Sequence, residues 1–397
     1  MILAGGRGTR MRPLTNTRPK PMVEFHGKPF LEYLIEMLRE QGFERVLLLL
    51  GYLPEVIQDH FGDGARWGIE IDYSVSGPDD LTVSRIQLAR ERIEQSFLLM
   101  YCDNYWPMQM DRMWRRYQAT GAPAMVTVYR NNDGYRPGKD SVIVDRDGFV
   151  TVFDRKRVRP GLRGVEISYA ILDELVLDLL PEHDELFEHA LYPRLAERGK
   201  LSAYLTDHRY YSVGSLERLP VTERFLARQP AVVLDRDGVL NRRPPRAEYV
   251  RRPDEFDWLP GAREALALLK EAGYTVIVVS NQAGIARGAM TEGDLDAIHA
   301  RMRTEAAEAG GGVDAIYHCP HGWDQGCDCR KPAPGMLFQA QRDFELDLTR
   351  TPFIGDDERD RQAADAAGCP SVLVSERLTL LDAARSLVAD RPQAVAP

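Results

Sequence analysis

Asp235 and Asp237 stand one residue apart at the end of an apolar run, Val233-Leu234-Asp235-Arg236-Asp237-Gly238-Val239-Leu240. Alternation along an extended backbone turns both carboxylates to one side. At the carboxyl end of a parallel strand, that side is the ligand crevice. One carboxylate can attack phosphorus while the other protonates a leaving alkoxide. An aspartate pair can equally be a solvated loop, so the reading rests on three further elements, in order along the chain. Val278-Val279-Ser280-Asn281 ends a second apolar run in a hydroxyl and an amide, groups that suit phosphate oxygens. Arg330-Lys331-Pro332 supplies cations to hold a nucleophile and a phosphoryl group together. Phe353-Ile354-Gly355-Asp356-Asp357-Glu358-Arg359-Asp360 ends a further run in acids, the hard oxygen donors that Mg²⁺ takes. Phosphoryl transfer needs mainly positioning and charge neutralisation.

This order resembles the haloacid dehalogenase superfamily, over residues 231–390. The resemblance implies Asp235 as nucleophile and Asp237 as acid/base. It implies Mg²⁺ held by the Asp235 carboxylate, the Asp237 backbone carbonyl and Asp356, with Asp360 in support. Ser280 and Lys331 would stabilise the transferring group. Asn281, Gln282, Arg287 and Arg330 complete the expected phosphate- and substrate-binding set.

Cys319-Pro320-His321 and Cys327-Asp328-Cys329 form a second kind of cluster. Three thiolates and one imidazole suit tetrahedral Zn²⁺. The Gly, Pro and Asp around them do not read as core. All four positions are filled by protein, so the site is expected to be structural. It abuts Arg330 and Lys331, which it would brace. Cys102 and Cys369 lie apart and read as ordinary buried thiols. The zinc loop resembles that of the D-glycero-D-manno-heptose 1,7-bisphosphate 7-phosphatases and their histidinol-phosphate phosphatase relatives. Ser280-Asn281-Gln282-Ala283-Gly284-Ile285-Ala286-Arg287-Gly288 is similar to the heptose type, as is Cys329-Arg330-Lys331-Pro332-Ala333-Pro334-Gly335-Met336. The loop Asn241-Arg242-Arg243-Pro244-Pro245-Arg246 is longer than that pattern has, and the stretch between His321 and Cys327 is shorter. Both border the substrate, so histidinol phosphate or another sugar phosphate stays open.

The chain begins with a third constellation, Leu3-Ala4-Gly5-Gly6-Arg7-Gly8-Thr9-Arg10, followed by Arg18-Pro19-Lys20-Pro21-Met22. Glycines allow close backbone approach to phosphate, and arginine can pair with it. Together these stretches resemble the sugar-1-phosphate nucleotidyltransferases, over residues 1–226. The resemblance implies a nucleoside triphosphate held by Gly5, Gly6, Arg7, Gly8, Thr9, Arg10 and Lys20. It implies a metal at Asp103, and Lys156 and Glu166 on the sugar phosphate. Three departures stand out. Only three residues precede Ala4, so the first strand is expected to be short. Gly77-Pro78-Asp79-Asp80-Leu81-Thr82-Val83-Ser84 takes the place of a Gly-Thr-Ala-like base-binding loop. Ser212, in Tyr211-Ser212-Val213-Gly214-Ser215, takes the place of a second metal aspartate.

The elements that must position these groups alternate along the chain. Phe30 to Glu40 has helical apolar spacing and Arg45 to Leu50 reads as a strand. Ala262 to Ala272 is helical again, before the β-branched run Tyr274 to Val279. Such alternation predicts mostly parallel sheets covered by helices. The expected fold is α/β in two domains: a Rossmann-like nucleotidyltransferase domain and a Rossmann-like capless haloacid dehalogenase domain. A closing helix over Arg218 to Arg228, broken at Gln229-Pro230, puts the linker at about 227–230. The tail after Asp390 is expected to be frayed.

A chain of 397 residues with 44% hydrophobic and 28% charged residues is ordinary globular protein of a size for two cores. Its net charge of -9 argues against nucleic acid as partner. No apolar run approaches membrane-spanning length, and no charged-then-apolar leader opens it, so a cytoplasmic enzyme is expected. The expected reading is a bifunctional enzyme of nucleotide-activated heptose synthesis, serving lipopolysaccharide or other cell-surface polysaccharide. One half would remove a 7-phosphate and the other join the resulting 1-phosphate to a nucleotide. The alternative is a phosphatase whose first half only binds sugar nucleotide. Base, anomer and oligomeric state are left open.

Overall fold

The computed structural model describes residues 1–245 and 247–390. The tail expected to fray lies outside the described residues. The chain divides into two compact units, Met1–Ala227 and Arg228–Pro397.

The first unit is built on seven strands: β1 (Ile2–Leu3), β2 (Arg45–Leu50), β3 (Glu70–Val75), β4 (Ser96–Tyr101), β5 (Ala124–Tyr129), β6 (Val165–Asp173) and β7 (Leu201–Thr206). Their order across the sheet is β7-β5-β6-β4-β1-β2-β3. All neighbours run parallel except at β6, which is antiparallel to β4 and β5. β2 is apolar at five consecutive positions because both faces of the sheet are covered. Leu48 and Leu50 pack with Leu31, Leu34 and Ile35 of the helix Phe30–Glu40, while Leu47 and Leu49 join Val83, Ile86 and Val126 on the other face. β1 lies between β2 and β4, with Leu3 paired to Leu49 and Tyr101. The glycine loop after β1 and Asp103 after β4 therefore emerge at the same edge.

The second unit has five strands: β8 (Ala231–Leu234), β9 (Thr275–Asn281), β10 (Ala315–Cys319), β11 (Phe353–Gly355) and β12 (Ser371–Leu373). They are all parallel, in the order β10-β9-β8-β11-β12. Val232, Leu234, Val276 and Val278 pack against Ala265, Leu266 and Leu269 of the helix Ala262–Glu271. Ala231, Val233, Ile277 and Val279 pack against Met336, Leu337 and Ala340 of Gly335–Phe344 and Ala363 of Glu358–Ala367. Between β8 and that first helix stands one short helical turn, Pro253–Glu255, and no inserted cap domain among the described residues. The carboxyl ends of β8, β9, β10 and β11 carry Asp235, Ser280, Cys319 and Asp356. Among the described residues, no helix is long and apolar enough to cross a membrane.

The helix expected over Arg218 to Arg228 forms only over Leu219–Leu226, after a single turn at Leu216–Arg218. Pro220 suits the start of a helix, and Arg228 adopts a positive φ of 50°, which ends the segment ahead of Pro230. The strand expected from Tyr274 to Val279 begins at Thr275 and runs on to Asn281.

Ile277 is fully buried in β9. Its truncation in Ile277→Ala is expected to cost about 2–5 kcal/mol through lost transfer energy and the cavity left behind. Urea titration will show this as a lower midpoint for the second unit's transition.

Candidate active sites

The centre of the second unit is an ammonium between two carboxylates. Lys331 Nζ lies 2.8 Å from Asp235 Oδ1 and 2.7 Å from Asp360 Oδ1, and donates to the Val279 carbonyl at 3.1 Å. Each element places one member. Asp235 directly follows β8, and Val279 is the last-but-two residue of β9. Asp360 is the third residue of the helix Glu358–Ala367, whose capping box it forms with Asp357. Its carboxylate accepts the backbone N–H groups of Asp356 and Asp357, at 3.1 Å each. Asn281 fixes the Lys331 backbone from both sides: its Nδ2 donates to Lys331 O and its Oδ1 accepts from Lys331 N, each at 3.0 Å.

Burial pushes the Asp235 carboxyl up to about 7 against the pull of Lys331, with Asp360 adding to the rise. Burial likewise raises Asp356 to about 6, opposed by Arg243. The buried Asp356 Oδ1 accepts no hydrogen bond, although Arg243 Nη2 stands 3.1 Å away. Asp235, Asp356 and Asp360 each offer a carboxylate oxygen within 4.8 Å of the others. A Cβ on Gly238 would come within 1.8 Å of Asp356 Oδ2, so glycine leaves room for that carboxylate. Three crowded acids, one without a hydrogen bond, fit a hard divalent cation.

Asp237 is held differently. Its carboxylate accepts from Arg236 Nε (3.2 Å) and Nη2 (2.9 and 3.0 Å), from Asn241 Nδ2 (2.9 Å) and from Gln282 Nε2 (3.0 Å). Burial would raise its pKa, but these donors, Arg236 first, hold it below the usual carboxylate range. Gln282 Nε2 also donates to Ser280 Oγ at 2.7 Å. Asp235, Asp237, Ser280, Asn281, Gln282, Arg287, Arg330 and Lys331 all line one cavity of about 770 Å³. Asp356 is not in that lining, but its carboxylate lies within 4.8 Å of those of Asp235 and Asp360, which are.

Cys319, His321, Cys327 and Cys329 converge beside it. Cys319 Sγ lies 3.3 Å from Cys329 Sγ, 3.6 Å from Cys327 Sγ and 3.5 Å from His321 Nδ1. A tetrahedron with Zn–S bonds of about 2.3 Å has edges of roughly 3.8 Å, so the donor set and spacing fit zinc. All five cysteines are free thiols, and Cys102 and Cys369 are buried. Arg330 Nη1 donates to His321 O at 3.2 Å, and Gly335 N to Asp328 O at 2.9 Å. The loop therefore holds both sides of the Arg330-Lys331 segment.

In the first unit, Gly5, Gly6, Gly8, Lys20 and Asp103 line a cavity of about 200 Å³. Lys20 Nζ lies 2.7 Å from Asp103 Oδ2. Gly8 has a φ of 61°, in the left-handed region, and starts the turn Thr9–Met11. Thr9 and Arg10 are exposed. Arg7 forms a bidentate pair with Asp79, Nε to Oδ1 at 2.7 Å and Nη2 to Oδ2 at 2.8 Å. The short antiparallel pair Asn104–Tyr105 and Tyr211–Ser212 brings Ser212 beside Asp103, where Ser212 Oγ accepts from Gly214 N at 3.0 Å. Glu166 is buried and pushed up to about 7 by that burial, with Arg155 opposing the rise. Lys156 is exposed; the residue facing Glu166 is Arg155, at 3.6 Å, which also reaches Glu188 at 3.9 Å.

Sequence reasoning passed over Arg236, Asn241, Arg155 and Glu188. Arg236 stood in plain view between the two aspartates. Arg155 shared a run with Lys156, and nothing in the spacing distinguished them.

Residues 1–218 match the family model for nucleotidyl transferases, and residues 328–397 the model for haloacid dehalogenase-like hydrolases. The D-glycero-β-D-manno-heptose-1,7-bisphosphate 7-phosphatases of Bordetella bronchiseptica and Pseudomonas aeruginosa are each 48% identical over 143 residues, 36% of this chain and 79% of theirs. The chain belongs to both families. A crystal structure of the D,D-heptose 1,7-bisphosphate phosphatase from B. bronchiseptica, complexed with magnesium and phosphate, is 39% identical. It covers 41% of this chain and 99% of its own, with a TM-score of 0.39.

The purified protein is expected to carry about one zinc per chain by elemental mass spectrometry. Cys327→Ser should lose most of that metal, and proteolysis should then cut more readily between residues 319 and 330.

Proposed function

We propose that the chain is a bifunctional enzyme of nucleotide-activated heptose synthesis. Its second unit removes the 7-phosphate from D-glycero-D-manno-heptose 1,7-bisphosphate, and its first joins heptose 1-phosphate to a nucleotide with release of pyrophosphate. The observation that carries the phosphatase is the placement of Lys331 between Asp235 and Asp360 on the wall of a cavity that Asp237 also lines. Asp235 attacks the 7-phosphate and becomes an aspartyl phosphate as the sugar C7–O–P bond breaks at phosphorus. Asp237, a carboxylate at rest, takes up a proton from solvent against the pull of Arg236, delivers it to the leaving alkoxide and later takes one from the water that frees the phosphate. Lys331 and Ser280 lie where they can hold the phosphoryl oxygens. Arg287 and Arg330 line the same cavity and suit the remaining 1-phosphate. Mg²⁺ would be held by Asp235, Asp356 and the Asp237 carbonyl, where it neutralises charge on the phosphoryl group. Two activities on one chain follow because the first reaction makes the substrate of the second. The choice of heptose rests on the family to which the second unit belongs.

A second reading has a specific observation behind it. Ser212 stands beside Asp103 where a second carboxylate would serve a metal, and a hydroxyl is a poor substitute. On that reading the first unit binds a sugar nucleotide without turnover.

Heptose 1,7-bisphosphate, Mg²⁺ and each nucleoside triphosphate in turn should yield phosphate with all four, and pyrophosphate with at least one. Phosphate without pyrophosphate throughout favours the second reading, and pyrophosphate release gained by Ser212→Asp would locate the defect in the metal site. Asp235→Asn is expected to abolish phosphate release and leave pyrophosphate release from supplied heptose 1-phosphate unchanged. A variant with normal phosphatase activity would overturn the assigned nucleophile.

A further inference from the structure

Arg85 is buried to 3% exposure, and no carboxylate pairs with it among the described residues. Its guanidinium is held by oxygens from three separate segments: the glycine loop, the end of β2 and the loop after β3. Nη1 donates to Leu50 O at 2.8 Å and Ser76 Oγ at 2.7 Å. Nη2 donates to Asp80 O at 2.8 Å, Gly77 O at 3.0 Å and Gly5 O at 3.2 Å. Nε makes no hydrogen bond to the described residues. The side chain lines the 200 Å³ cavity with Gly5, Gly6, Lys20 and Asp103.

Two glycines exist in a form that admits it. A Cβ on Gly5 would fall 2.1 Å from Arg85 Nη1, and one on Gly51 would fall 2.2 Å from the same atom. At either position a larger residue would force the guanidinium to shift. The chain thus spends two glycines and five oxygen–nitrogen approaches on one cation, at the place where the loop Gly77–Ser84 departs from a Gly-Thr-Ala pattern.

A buried cation without a counter-charge is unfavourable. Lys20 does not share the problem, because Asp103 neutralises it. The carboxylates of Asp80 and Asp184 act on Arg85 only from a distance. The missing anion has one open direction, the cavity.

Resting on the nucleotidyl-transfer reading of this unit, we propose that Arg85 is a nucleotide-binding residue. Its guanidinium gives the glycine-loop cavity a positive floor that recognises the phosphates of a nucleoside triphosphate. Gly5 serves that floor by making room for it, and Gly77 and Asp80 supply the carbonyls that hold it level.

The test uses the full chain with the Mg²⁺ complexes of ATP, GTP, CTP and UTP, and with the matching nucleosides, by calorimetry. For the triphosphate that the wild type binds, Arg85→Met is expected to weaken binding at least tenfold and to change nucleoside binding less than twofold. Arg85→Lys keeps the charge and should fall between. Thermal unfolding checks that each variant is folded, and phosphate release by the second unit should stay within twofold of wild type. Equal loss for triphosphate and nucleoside would mean that Arg85 only holds the loops, and would overturn the proposal. So would a folded Arg85→Met with wild-type affinity. A wild type that binds none of the four triphosphates would overturn the nucleotidyl-transfer reading itself, and this inference with it.

Discussion

The Lys331 ammonium is the point on which the second unit turns. Taking a charge out of water costs several kcal/mol unless partners replace the lost hydration. Here the partners come from the ends of β8 and β9 and from the first turn of the helix after β11. None of them can shift without exposing or orphaning the charge. The ion pair therefore ties three elements to one geometry, and the fold in turn keeps the pair dry. Asn281 and the cysteine loop add two clamps on the backbone that carries the lysine.

The charges are divided unequally around it. Asp235, Asp356 and Asp360 are three acids facing one ammonium and, at Asp356, the Arg243 guanidinium, so two cations face three acids. Asp237 sits outside that account, because Arg236 neutralises it on the side away from the cavity. Two aspartates separated by a single residue thus meet opposite environments: burial lifts one pKa and a guanidinium depresses the other.

Much of this was legible in the residues. β2 and β8 occupy the stretches that their apolar runs mark, and the four ends that carry Asp235, Ser280, Cys319 and Asp356 come together because parallel strands in one sheet share a carboxyl edge. The partner of Glu166 was not legible. The spacing offered Lys156, but Asp154 accepts the backbone N–H groups of Arg157, Val158 and Arg159 and turns the chain sharply there. Within such a turn neither strand nor helix periodicity tells which side chain faces inward. Arg85 was hidden for another reason. It looks like a surface residue of a polar helix, and only the third dimension shows that Gly5 and Gly51 leave a hole for it.

The two units solve the same problem, negative charge on phosphate, with different means. The second holds a cluster of acids that a divalent cation can join before any substrate arrives. In the first, Asp103 is already paired with Lys20, and a serine stands where another acid would. One neutralised carboxylate is a weak ligand set for Mg²⁺, which in such sites is bound through one or two carboxylates together with substrate phosphates. On the proposed reading, a triphosphate would have to complete the coordination of a metal in the first unit. Cation and nucleotide would then bind there together, whereas in the second unit the cation could precede the sugar. A buried arginine on the floor of the first cavity belongs with that arrangement, since a site that cannot store a metal in advance needs a fixed positive charge of its own to draw the phosphates in.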